Sequence, residues 1–146
     1  MKIRILVVFS IIFISSMLLF SCVDSEKDNP EIVGTWKVIN YESKTQTPLT
    51  DWYTADECRF DNLEEFLGDG TWTQYDGTLK CGTNSGGLTK GTWRLAANNQ
   101  KVIFAYEGFS GEYERTIEQL NETTLILSFA SGTLNGLQNR VTYSRN

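Results

Sequence analysis

The chain of 146 residues contains no histidine at all. It therefore lacks the side chain that most often serves as general base and metal ligand near neutral pH. No serine stands in a recognisable nucleophile setting, and no glycine-rich loop suited to cradling phosphate is present. Positive charge is also scarce, 13 basic against 18 acidic residues for a net charge of −5, which argues against nucleic acid as a partner. Glu64 and Glu65 are adjacent on an expected strand and face opposite sides, which spoils them as a general acid/base pair. Glu114 and Glu118 share a face, the solvent face. The chain is thus expected to be no enzyme and to need no cofactor and no metal.

Long apolar runs are limited to one, residues 5–20, preceded by Lys2 and Arg4. It is shorter than the roughly 20 residues a membrane-spanning helix needs. Basic flank, short apolar core and a small residue before the cut read as a signal peptide over 1–21. Leu19-Phe20-Ser21-Cys22 resembles the bacterial lipobox. That resemblance implies that Cys22 becomes the lipidated first residue, acylated on thiol and amine and so held to a membrane, as several chains hold far better than one. Residues 22–32 are polar, charged and aperiodic, a flexible tether. Their acidic run resembles the signal that sends Bacteroidota lipoproteins to the cell surface, so the chain is expected at the outer membrane. Without the signal peptide the net charge is −7.

Residues 33–146 suffice for one domain and not for two. Its cysteines are Cys58 and Cys81, and an exported chain enters a compartment where disulfides persist. A bridge between them is expected, stabilising by about 3 kcal/mol in the chain-entropy model. Two free thiols or a metal site are the alternatives, the latter short of ligands since two cysteines are half a zinc shell.

Short alternating runs rich in β-branched and aromatic residues, broken by glycine, asparagine and aspartate, predict eight strands at 34–42, 63–67, 71–75, 91–97, 101–106, 112–120, 123–130 and 140–145. Residues 68–70, 98–100 and 120–122 are turn chemistry of hairpin length. Thr54 and Glu57 have capping-box spacing, predicting a short helix over 50–57. Eight consecutive antiparallel strands invite closure into an up-and-down barrel, which removes both exposed edges.

The triplet Gly-Thr-Trp occurs at 34–36, 70–72 and 91–93. Gly34 and Trp36 on the first strand, with Arg145 ending the last, resemble the base motif of the lipocalin superfamily. Together with Asp56-Glu57-Cys58, Asp61-Asn62, Gly68-Asp69-Gly70, Cys81 and the run 113–127, they resemble the lipocalin-like lipoprotein domain of Bacteroidota. The resemblance implies an all-β, eight-stranded, lipid-anchored barrel with an arginine across the base tryptophan.

In such a meander the long connections 43–62, 76–90, 108–111 and 131–139 share one open end, and the tight turns share the other. Trp36, Trp72 and Arg145 then close the base, while Trp93 begins a strand at the mouth. Tyr106, Tyr113 and Phe129 are the other aromatics expected near the mouth, with Trp52 and Tyr53 as a candidate lid. Filling of the core is the plainer role for these rings. Alternation turns Tyr113, Arg115 and Ile117 inward. An inward Arg115 needs a partner: the acid group of an amphipathic ligand, a protein carboxylate, or escape through a bulge.

Two functions follow. One is a monomeric carrier or sensor of a small apolar or amphipathic ligand, which needs a cavity of several hundred Å³. The other is a surface accessory protein with a filled barrel, binding a protein or glycan through its mouth loops and needing exposed aromatics at Trp52, Tyr53 and Phe109.

Overall fold

The computed structural model describes residues 31–45, 50–54, 57–79, 87–131 and 136–146. The signal peptide, Cys22, most of the tether and Cys81 lie outside the described residues.

The strands are β1 (Gly34–Lys44), β2 (Tyr53–Thr54), β3 (Leu63–Phe66), β4 (Thr71–Tyr75), β5 (Leu88–Ala96), β6 (Lys101–Tyr106), β7 (Tyr113–Leu120), β8 (Thr124–Ala130) and β9 (Gln138–Arg145). Eight of them, β1 and β3 to β9, pair antiparallel in that order, and β9 returns to β1 to close the barrel. Alternation sets the faces: Asn139, Val141 and Tyr143 of β9 are buried while Arg140, Thr142 and Ser144 between them are not. Register shifts at Ile39 in β1 and Glu118 in β7 interrupt the alternation. Such bulges bend a strand and sharpen its twist, as wrapping a sheet onto itself requires.

The core is aromatic at its centre. Trp72 packs edge-on against Phe104 at 5.1 Å, and Phe66 packs against Phe104 and Trp93 at 5.9 and 5.4 Å between ring centroids. Edge-to-face contacts of this kind add about 0.5–1.5 kcal/mol each beyond the area they bury. Trp36, Trp72, Phe66 and Phe104 are all fully buried.

Three expectations are corrected. The helix expected over 50–57 is not formed among the described residues. Tyr53 and Thr54 instead pair with Ser43 and Glu42, where β1 overhangs β3 and leaves an edge to be covered, and a single 3-10 turn follows at Glu57–Arg59. An aromatic and a β-branched residue suit that edge better than a helix start. The tether does not reach residue 32, because Ile32 is fully buried and its carbonyl accepts a hydrogen bond from Trp36 Nε1 at 2.8 Å.

The third correction concerns β5, which starts at Leu88 rather than Gly91. Its pairing on β4 runs from Leu88 opposite Tyr75 to Thr92 opposite Thr71, so Gly91 lies inside the strand. A Cβ there would come within 2.2 Å of the Ala105 carbonyl oxygen, a close backbone approach that only glycine permits. Trp93 is therefore carried past Thr71 to the closed end, where its backbone N–H and Nε1 donate to the carbonyls of Gly70 and Leu67.

Candidate functional site

The closed end holds the expected base. Arg145 lies across Trp36, its guanidinium carbon 4.3 Å from the ring centroid. Its Nε and Nη1 donate to the carbonyls of Glu122 at 2.7 Å and Val33 at 3.0 Å, and Nη2 donates to that of Glu31. Gly34 adopts φ +138°, which side chains rarely adopt, and a Cβ there would meet Arg145 Nη1 at 2.5 Å. The absent side chain at Gly34 is what lets the arginine lie down.

Nearer the mouth, Arg115 points inward, as its position on β7 predicts, and meets a carboxylate of the protein. Its Nη1 lies 3.3 Å from Glu64 Oε1 and donates to Tyr143 Oη at 3.1 Å, and Nη2 donates to Tyr106 Oη at 3.3 Å. The guanidinium also stacks on Phe104 and Phe129, 4.6 and 5.1 Å from their centroids. Glu64 in turn accepts from Tyr143 Oη at 2.8 Å and from Trp72 Nε1 at 3.1 Å. Burial alone would push the Arg115 pKa down, but the Glu64 carboxylate and the two tyrosines outweigh it and the guanidinium is held more firmly charged than usual. Burial first, and then Glu64, push the Tyr143 phenol well above its ordinary value.

Of the expected ligand-facing residues, Tyr106, Arg115 and Phe129 do converge, whereas Tyr113, expected inward, is exposed at the rim with its ring edge-on to Tyr106 at 4.9 Å. Trp93 does not join them, for the reason of register given above. Trp52 does not either: it lies over Lys44 and Arg140 at 4.6 and 4.4 Å, two outward-facing side chains of β1 and β9. The room beside Arg115 is a cavity of about 50 Å³ bordered by Tyr41, Asn62, Glu64, Gln74, Phe129 and Tyr143. At 10–15 Å³ of such volume per water it accommodates a few water molecules. It falls well short of the several hundred Å³ that a carrier site requires.

Glu64, Trp72 and Tyr143 were absent from the expected site. The signal was nonetheless present, since period-two alternation from Phe66 turns Glu64 inward and from Arg145 turns Tyr143 inward. Asp61 and Asn62 act structurally on the mouth. The Asp61 carboxylate accepts from Thr78 N and Oγ1 at 2.6 Å each and from Leu79 N at 3.2 Å, and Asn62 Oδ1 accepts from Gly77 N at 2.8 Å. The Thr78 hydroxyl foremost, helped by the Leu79 and Thr78 amides and opposed by burial, holds the Asp61 pKa below the usual carboxylate range. Cys58 sits on the 3-10 turn just before this pair. Its expected partner Cys81 is outside the described residues.

The family model described as lipocalin-like domain matches residues 32–127. No curated protein matches. Among solved structures, a lipocalin-like protein from Bacteroides uniformis is 14% identical, with 80% of this chain and 99% of that one covered at a TM-score of 0.48. A duf4847 family protein from Bacteroides vulgatus is 15% identical, with 80% and 96% covered at a TM-score of 0.50.

Proposed function

The chain belongs to the lipocalin-like domain family, and from that premise we propose that it is a lipid-anchored accessory protein of the outer membrane whose barrel is a filled scaffold. Binding belongs to its rim and outer face, and no catalysis is assigned to it. In this reading Cys22 carries the acyl chains, residues following it form the tether, and a Cys58–Cys81 bridge ties two mouth loops together. The tether enters at the closed end, so the mouth points away from the membrane.

The observation that carries the reading is the fate of Arg115. Its charge is matched by Glu64, its Nη1 and Nη2 also donate to Tyr143 and Tyr106, and only about 50 Å³ is left beside it. A ligand acid entering the barrel would have to displace a buried carboxylate. Exposed aromatics at Tyr53 and Phe109, the latter 71% accessible, fit recognition from outside.

Intact and native mass spectrometry of protein extracted from the membrane tests this. The expected species begins at Cys22, bears its acyl chains, is two hydrogen atoms lighter than the dithiol, and retains no further small molecule. A stoichiometric lipid held in addition to the covalent chains would overturn the filled barrel.

A further inference from the structure

The wall of the barrel divides between β7 and β8. Their pairing starts at Thr116 opposite Ser128. Toward the mouth, β7 continues through Arg115 to Tyr113 on β6 alone, and β8 continues through Phe129 to Ala130 on β9 alone. At this parting lies a groove of about 220 Å³, separate from the interior cavity and more than four times as large. Phe129 borders both.

The groove has an aromatic wall in Trp52 and Phe129 and a polar floor. Thr116 and Ser128 offer hydroxyls and Gln138 an amide, and among the described residues none of these three side chains is hydrogen-bonded within the protein. Each can both donate and accept. Its two charged groups balance: the Lys44 ammonium lies over the Trp52 indole and meets no carboxylate among the described residues, while Glu118 is turned toward Arg140, 4.0 Å away, by the β7 bulge. Arg140 itself is held by Glu42 at 2.8 Å and stacks on Trp52, so the indole is fixed over the rim rather than free in the loop.

Resting on the filled-barrel reading, we propose that this groove is the binding site and that its ligand is a single neutral pyranose ring, such as the end of a glycan. A pyranose has a C–H face for an aromatic wall and a girdle of hydroxyls that need donors and acceptors in equal measure. The lining supplies both and carries no net charge, which favours neither an anionic nor a cationic ligand. A volume near 220 Å³ lies below the roughly 300 Å³ at which drug-sized pockets begin and admits one ring.

The test uses the folded domain carrying 5-fluorotryptophan, whose four indoles report separately by fluorine NMR. Methyl glucoside, methyl galactoside and methyl mannoside are titrated in turn to about 50 mM, the range suited to millimolar affinity. At least one of them shifts the Trp52 resonance saturably, leaving Trp36, Trp72 and Trp93 in place. The double variant Thr116→Val, Ser128→Ala, whose Trp52 line is first shown to be unmoved without sugar, binds that glycoside at least about tenfold more weakly. Absence of any saturable shift at Trp52 overturns the site, as does undiminished affinity in the double variant. Neither result touches the filled barrel, which fails on its own if retained lipid moves the Trp72 line.

Discussion

Arg145 at the base and Arg115 in the interior nearer the mouth both lie across aromatic rings, and they are held in opposite ways. Arg145 covers Trp36 from the exposed side of the base and is satisfied by three backbone carbonyls. Arg115 covers Phe104 and Phe129 inside the barrel and is satisfied by a carboxylate and two phenols. The difference follows from solvent. At the base, water screens the guanidinium and carbonyl dipoles suffice. Inside, where the Arg115 and Glu64 side chains are only 11% and 5% exposed, an uncompensated charge is too costly and a counter-ion is built in. One stacking motif therefore serves as a plug at one end and as part of a buried ion pair near the other.

The comparison breaks most sharply at the ion pair. Arg115→Met leaves Glu64 buried without its cation and is expected to lower unfolding stability by about 3–5 kcal/mol in denaturant titration. The double variant Arg115→Met, Glu64→Leu removes both charges and should recover most of that loss. If the double variant is as unstable as the single one, the pair is not the reason for the cost.

At the base the weak point is a glycine rather than a charge. Gly34→Ala puts a methyl group where Arg145 Nη1 lies, at a φ that side chains rarely adopt. The expected loss is about 1–3 kcal/mol, with Trp36 fluorescence changing as the guanidinium lifts away. Adding Arg145→Ala to this variant should recover the part due to the clash and leave the part due to backbone strain.

The two ends also differ in how much of them the sequence discloses. The base was legible through its resemblance to a known motif: a glycine two residues before a tryptophan on the first strand, and an arginine at the end of the last. Arg115 was legible as an inward side chain because β7 alternates cleanly up to its bulge. Its partner was not identified, although alternation already aimed Glu64 at the interior. The side of a strand can be read from period two, whereas which inward residue meets which depends on strand tilt and register across the barrel. Trp93 was misplaced for a related reason: Leu88-Thr89-Lys90 follows a glycine-rich polar stretch and carries one apolar residue, so the start of β5 has little periodic signal. Trp52 and the missing helix depend on the overhang of β1, a tertiary feature that local capping chemistry does not report.

The smallest expected effect sharpens the electrostatic side of the contrast. Tyr143 is buried and donates to Glu64, and both circumstances oppose ionisation of its phenol. Its folded pKa therefore lies above the unfolded value near 10. Below pH 10 both states hold the proton and the full contribution is present. As the pH rises past 10 the unfolded chain releases its proton while the folded one keeps it, so stability falls with pH until the folded pKa is passed. Tyr143→Phe removes that linkage. Stability measured between pH 9 and 11 should fall less steeply in the variant, by at most about 1.4 kcal/mol per pH unit for a single proton. No tyrosine in contact with Arg145 appears among the described residues, so a base variant such as Arg145→Ala should leave this alkaline slope as it is. Equal slopes in the wild-type protein and Tyr143→Phe would show that the phenol is not held neutral by its surroundings, and the interior would then differ from the base in burial alone.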